Sequence, residues 1–258
     1  MKGRFIMKRL LIVVAVVALS LLTCGCSQQG ATSSKASPSS SAPSSTASQS
    51  APSSIDDNAK SYTVARIDGQ PNWSSIARLD IDDSAWTDSF GISAHAQLCH
   101  DGQALYVHMW AEEEDVRATY AAEDLLANPF EDSCLEFFVS PVAGDARYLN
   151  FEFNPNCALC NQIGAQKQGR TRLLPTSETL NAASSRTSDG WEITYQVPFD
   201  YIRTLYPTFS LEPGMRMRGN FYKCGNLTAN KHYLAWNHVD SETPNYHVPE
   251  SFGILVIE

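Results

Sequence analysis

From about residue 60 onward, short runs of the chain alternate apolar and polar side chains at period two, the spacing of strands that bury one face. In Ala104–Trp110, Leu105, Val107 and Met109 share a face opposite Tyr106, His108 and Trp110. Leu135, Phe137 and Val139 alternate with Glu136 and Phe138, and Leu149, Phe151 and Phe153 alternate with Tyr148, Asn150, Glu152 and Asn154. Trp191–Val197 turns Trp191, Ile193, Tyr195 and Val197 inward. Met215–Tyr222 sets Met215, Met217 and Phe221 opposite Arg216, Arg218, Asn220 and Tyr222, ahead of a last strand at Gly253–Ile257. Turn residues separate the runs at His100-Asp101-Gly102, Val142-Ala143-Gly144-Asp145, Ser188-Asp189-Gly190 and Glu212-Pro213-Gly214. Helical candidates are short, at Asp115–Leu126 and Asp200–Leu205. This pattern predicts an all-β domain over 61–258, an antiparallel β-sandwich with short helices.

The polar sides of these strands would form an outer sheet face carrying Glu136, Asn150, Glu152, Asn154, Arg216, Arg218 and Asn220 among Tyr and Trp residues. Hydrogen-bonding groups interleaved with flat aromatic rings suit a sugar, whose hydroxyls need partners and whose ring has an apolar face. A plain solvated sheet surface has the same alternation.

The first sixty residues follow other rules. Lys2, Arg4, Lys8 and Arg9 precede the uncharged stretch Leu10–Leu22, the arrangement of an export signal. The next residues, LTCGCS, resemble the lipobox of bacterial lipoproteins, in which a cysteine after a small residue is acylated and begins the mature chain. Gly25 before Cys26 favours Cys26 as the lipidation site, with Cys24 the alternative. Residues 1–25 then form a signal peptide, and 26–60 a tether. Ser27–Ser54 is nearly half serine, with Ala, Pro, Thr and Gln filling most of the rest, too little apolar surface to offset chain entropy. The expected location is the outer face of a bacterial cell membrane, with the lipid anchor as the sole membrane contact.

Charge narrows the partners. The whole chain carries −9, but residues 61–258 hold 13 basic and 26 acidic groups, a net of −13, which argues against nucleic acid as a ligand of the folded part. Five cysteines remain there: Cys99, Cys134, Cys157, Cys160 and Cys224. In an exported chain, two disulfides and one free thiol is the simplest arithmetic. Cys157-Ala158-Leu159-Cys160 is followed by Asn161 rather than His, so the motif for covalent haem attachment is absent.

Several segments, in order along the chain, resemble the carbohydrate-binding module family 9-like domains. They are IDGQPNWSS at Ile67–Ser75, DGQALYVHMWAEE at Asp101–Glu113 and NPFEDSCLEFFVSP at Asn128–Pro141. YLNFEFNPN at Tyr148–Asn156, GWEITYQVPF at Gly190–Phe199 and PGMRMRGNFYK at Pro213–Lys223 follow, and the series closes with Ala235–Ile257. The resemblance implies a sandwich of jelly-roll type that binds oligo- or polysaccharide without cleaving it, often at a chain end, between two aromatic walls, with calcium in a structural role. Carried onto this chain, the first wall falls on Phe130, the second on Trp236, and the carboxylate that accepts from sugar hydroxyls on Glu136. Glu152 stands where the family tends to have a basic residue, so Asn154, Arg218 or Arg216 would supply donors.

Other chemistries are readable in the same residues. Asp80-Asp82-Asp83 and Glu112-Glu113-Glu114-Asp115 could offer oxygens to calcium, although neither follows an EF-hand loop. A haem-holding or protein-binding sandwich is the alternative function, with His95, His108, His238 and Met109 as conceivable axial ligands. A glycoside hydrolase would need two carboxylates facing across a cleft, and Glu136 with Glu152 is the available pair.

Overall fold

The computed structural model describes residues 59–84 and 86–258; the signal segment, Cys24, Cys26 and nearly all of the tether lie outside the described residues. Among the described residues no helix is long and apolar enough to cross a membrane. Thirteen strands account for most of the regular structure: β1 (Ser61–Arg66), β2 (Leu79–Asp80), β3 (Ser93–His100), β4 (Ala104–Glu112), β5 (Ser133–Ser140), β6 (Tyr148–Phe153) and β7 (Leu159–Gly164), then β8 (Thr171–Leu173), β9 (Ala183–Arg186), β10 (Gly190–Pro198), β11 (Arg216–Gly225), β12 (His232–Ala235) and β13 (Gly253–Ile257). Among the described residues a single α-helix, α1 (Phe199–Leu205), follows β10 as the sequence predicts. The segment Asp115–Leu126 forms turns instead of the expected helix, because its backbone is held by Asp132, whose carboxylate accepts from the amides of Thr119 and Tyr120.

One sheet runs β8-β7-β6-β5-β11-β13-β1, with β12 alongside the second half of β11, and the other runs β1-β3-β4-β10-β9 with β2 on β3. Pairing is antiparallel except at β1, which lies parallel to both β13 and β3 and so carries the chain from one sheet into the other. The inner faces are the apolar sets of the period-two pattern. Phe137 stacks on Phe221 at 4.6 Å between ring centroids, Phe153 meets Tyr195 of the opposing sheet at 4.8 Å, and Val107, Met109, Ile193 and Val197 are buried with them. Each such side chain removed from water contributes roughly 1.5–3 kcal/mol, which is what holds the sheets face to face.

Turn chemistry sets the registers. In the β3–β4 hairpin Asp101 Oδ1 accepts from the amides of Gln103 and Ala104, and Gly102 takes φ +86°, a conformation open to glycine and strained for other residues. At the other end of the domain Gly253 lies under the indole of Trp236, where a Cβ would come within 2.4 Å of the ring.

The inward positions include two polar side chains, Asn161 on β7 and Lys223 on β11. Lys223 on β11 is fully buried and donates to Glu113 Oε2 at 3.2 Å, to the carbonyl of Cys224 at 3.1 Å and to His232 Nε2 at 2.7 Å. Glu113 also accepts from Trp191 Nε1 at 2.6 Å and from Ser133 Oγ at 2.9 Å. The charges are thus paired and hydrogen-bonded, the condition under which a buried ion pair is tolerated. Burial and the adjacent ammonium push His232 down to about 4, so the ring accepts from Lys223 and donates from Nδ1 to the carbonyl of Asn230.

Candidate functional site

The face of the first sheet turned away from the core carries Cys134, Glu136 and Phe138 on β5, Asn150 and Glu152 on β6, Cys160 on β7 and Asn220, Tyr222 and Cys224 on β11, as the cross-strand register requires. The sequence predicts an outer face, yet Glu136 is 3% exposed and Glu152 4%. The cover is the segment between β12 and β13. It is tied down by Asn220 Nδ2 to the carbonyl of Asn237, by Trp86 Nε1 to the carbonyl of Ser241, and by Tyr246 Oη to the carbonyls of Lys223 and Leu234. Its anchor is aromatic: Tyr246 stacks on Tyr222 with centroids 3.9 Å apart and planes 11° from parallel, while Phe252 packs edge-on to Tyr148.

Between cover and sheet a cavity of about 190 Å³ remains. Its floor is Glu136, Glu152 and Cys224 from the sheet; Phe130, Tyr233, Tyr246 and His247 present rings around it, and Lys167, Asn226 and Asn245 complete the polar lining. Glu136 Oε1 accepts from Cys224 Sγ at 3.0 Å. Glu152 Oε1 accepts from Asn150 Nδ2 at 2.8 Å, while its Oε2 has no hydrogen-bond partner. Burial raises both carboxyl groups well above the ordinary range, and for Glu152 the neighbouring Glu136 adds to it. Burial also raises the Cys134 thiol. His247, whose Nδ1 lies 2.9 Å from Tyr148 Oη, is pushed down to about 3 by burial and by Arg170 and Lys167. The cavity therefore holds a neutral imidazole at neutral pH, above two carboxyl groups whose protonated forms burial favours.

Of the residues singled out from sequence, the structure brings Phe130 and Glu136 together in this cavity. Trp236 is elsewhere: it is 4% exposed, edge-on to Phe221 within the core and seated on Gly253. Asn154 is fully buried and holds Asp132 Oδ2 and the carbonyl of Tyr120. Arg218 spends its guanidinium on the carbonyls of Glu250 and Phe252, bracing the end of the cover. Sequence reasoning missed Tyr233, Tyr246 and His247, which lie on the short strand β12 and in the cover, outside the alternating runs. It also missed the basic groups near Glu152. Arg170 reaches Asn150 Oδ1 at 2.7 Å and lies over the Tyr148 ring, and Arg172 of β8 reaches Cys160 Sγ at 3.3 Å.

Three further expectations change. All five cysteines of the described domain are free thiols rather than two bridges and a remainder: Cys99 is in the second sheet, and Cys157 and Cys160 are set apart by the turn and strand they occupy. The acidic runs flagged for calcium do not gather their carboxylates around one point. Asp80 pairs with Arg78 and His95, Asp82 with Lys60, Asp83 with His238, and Glu113 turns into the core. Met109 and His108 are adjacent on β4 and so face opposite ways, Met109 into the core and His108 against Trp73 and Trp110, which removes them as paired axial ligands of a haem.

Comparison with known proteins bears on the family and the fold. The family model described as "Carbohydrate-binding family 9" matches residues 72–257. Comparison with curated protein sequences finds no match. Among solved structures, one from Bacteroides uniformis, described as a candidate carbohydrate-binding protein, is 29% identical over 78% of this chain and 100% of that one, with a TM-score of 0.64. A carbohydrate-binding module of family 9 from Caldicellulosiruptor kristjanssonii, solved with glucose, is 14% identical over 77% of this chain and 96% of its own, with a TM-score of 0.54. A structure of a family 9 module from the same organism, solved with cellotriose, matches at 14% identity over 77% and 94%, with a TM-score of 0.53. At 14% identity these two similarities speak to the fold.

Proposed function

The chain belongs to carbohydrate-binding family 9, and from that premise we propose that it is a non-catalytic saccharide-binding lipoprotein whose ligand occupies the cavity under the β12–β13 cover. The observation that carries this reading is the cavity itself: hydrogen-bonding groups at Glu136, Glu152, Asn226 and Asn245 surrounded by the rings of Phe130, Tyr233 and Tyr246. Rings provide the flat apolar contact and the polar groups the hydroxyl partners that a sugar unit needs. At about 190 Å³ the space is small for an oligomer, so one terminal unit enters and the rest of the chain stays outside. Phe130 is the first wall and Glu136 the hydroxyl partner, as the family resemblance implies. Tyr233 or Tyr246 takes the second-wall role that the resemblance would give to Trp236. Glu136 and Glu152 are paired directly across β5 and β6, and burial favours the protonated form of both, which supports binding over hydrolysis, since a glycosidase needs one of its two carboxyl groups ionised. Export by the N-terminal signal and lipidation at Cys26 would hold the domain outside the membrane on its serine-rich tether.

The test is a glycan-array screen of residues 55–258, followed by titration with glucose and cello-oligosaccharides. Phe130→Ala and Glu136→Gln should each weaken binding at least about tenfold without lowering the melting temperature of the Phe130 variant, since one desolvated contact is worth about 1.4 kcal/mol or more. Folded protein that binds no glycan would refute the proposal, as would binding indifferent to both substitutions.

A further inference from the structure

Cys134 and Cys224 stand directly opposite each other on β5 and β11, and Glu136 follows Cys134 on the same face. Their ligand atoms, two Sγ and one carboxylate oxygen, all lie within 4.8 Å of one another, and the three residues are buried. The shortest approach, Cys224 Sγ to Glu136 Oε1, is 3.0 Å. Beside them Glu152, the direct cross-strand partner of Glu136, is 4% exposed and keeps Oε2 without a hydrogen-bond partner while lining the same cavity. A buried, unpaired carboxyl oxygen is unfavourable unless something completes it.

We propose that Cys134, Cys224 and Glu136, with Glu152 as the fourth donor, form a binding site for a thiophilic divalent cation of the zinc class at the floor of the cavity. Thiolate sulfur with carboxylate oxygen is a donor set that zinc accepts, with bonds of about 2.3 Å to sulfur and about 2.0–2.2 Å to oxygen, so atoms already gathered this closely need only small side-chain rotations to meet one ion. Calcium, which takes six to eight oxygens, has no use for the two sulfurs. Binding displaces the two thiol protons and the protons of the Glu136 and Glu152 carboxyl groups to solvent, so affinity falls as pH falls. The resulting negative charge is offset nearby by Arg172, whose Nη2 is 3.3 Å from Cys160 Sγ, and by Arg170, held on Asn150. Cys160 itself is the cross-strand neighbour of Glu152 and extends the row of thiols and carboxyls across four adjacent strands, β11, β5, β6 and β7. The inference does not depend on the saccharide reading.

The probe is Co²⁺ titrated into the full chain, stripped with chelator and kept reduced. The expected result is a thiolate-to-cobalt charge-transfer band saturating at one ion per chain and bleached by Zn²⁺ but not by Ca²⁺. Cys134→Ser and Cys224→Ser should each remove about half the band, because each removes one of two thiolates. Cys99→Ser and Cys157→Ser should leave it intact. Glu136→Gln should keep the band while weakening affinity by about tenfold or more, since even an outer partner of a metal ligand is worth that much. No band from folded, reduced protein would overturn the proposal. So would a band that survives loss of both Cys134 and Cys224, or a Cys134–Cys224 disulfide found by alkylation and mass measurement in the chain as isolated. Sugar titration of the same stripped sample is a separate readout, so a failed metal site and a failed saccharide site are distinguishable.

Discussion

Replacing Glu136 and Glu152 with glutamine should make the domain more stable at neutral pH, and by an amount that grows with pH. The two carboxyl groups face each other across β5 and β6 at 3% and 4% exposure, and burial lifts both well above the 4.5 at which each ionises in an unfolded chain. Below that value both states are protonated and the full contribution to stability is present. Above it the unfolded chain releases protons that the folded chain retains, so stability falls as pH rises towards the folded values. Each retained proton gives a slope of about 1.4 kcal/mol per pH unit, and a pair holding one to two protons gives about 1.4–2.7 kcal/mol per unit. Glutamine preserves the volume and the acceptor for Asn150 but does not titrate. Urea unfolding of wild type, both single variants and the double variant between about pH 5 and pH 7.5 measures the effect, and subtracting the wild-type curve cancels the histidine contributions common to all. Stability differences that stay flat across that range would refute the claim that the pair is buried with its protons on.

Lys223→Met should destabilise the fold by about 3–5 kcal/mol in urea unfolding, because Glu113 is left as a buried charge without its ammonium, and adding Glu113→Gln should recover part of the loss. Gly253→Ala should lower stability by about 1–3 kcal/mol, since its Cβ would lie 2.4 Å from Trp236 Cζ3 and 2.8 Å from the carbonyl of Lys60; an unchanged melting temperature would show that the indole is not locked there. On the acid side, His247 and His232 sit at about 3 and about 4, below the 6.5 of the unfolded chain, so their contribution is present above 6.5 and is lost as pH falls through that window. His247→Gln should flatten the decline, and a profile parallel to wild type between about pH 6.5 and pH 4 would contradict the assignment.

The period-two pattern was enough to place β4, β5, β6, β10, β11 and β13 with their core sets, though not the eight-residue β3, because alternation states which side chains share a face regardless of what lies beyond it. Leu135, Phe137 and Val139 face the core as that pattern requires, and α1 forms where the chain predicts it. The six-residue interval from Phe130 to Glu136 likewise survives folding, since a short turn and the start of β5 bring both into one cavity. What the alternation could not contain is the cover. The polar face of β5, β6 and β11 reads as solvent-facing, yet the segment after β12 folds across it, and that long-range packing is what buries Glu136 and Glu152 and shifts both towards their protonated forms. The same distance in sequence hid Tyr233, Tyr246 and His247 from the site and took Trp236 out of it, because a wall depends on which way a distant loop turns its rings. Cys134 and Cys224 are ninety residues apart in the chain and opposite each other in the sheet. Local spacing thus determined six of the strands and their core faces, composition the export signal's pattern, and the ordered set of motifs the family likeness. Only the pairing of strands remote in sequence decided which polar groups lose their water, and that desolvation is what gives the cavity its chemistry.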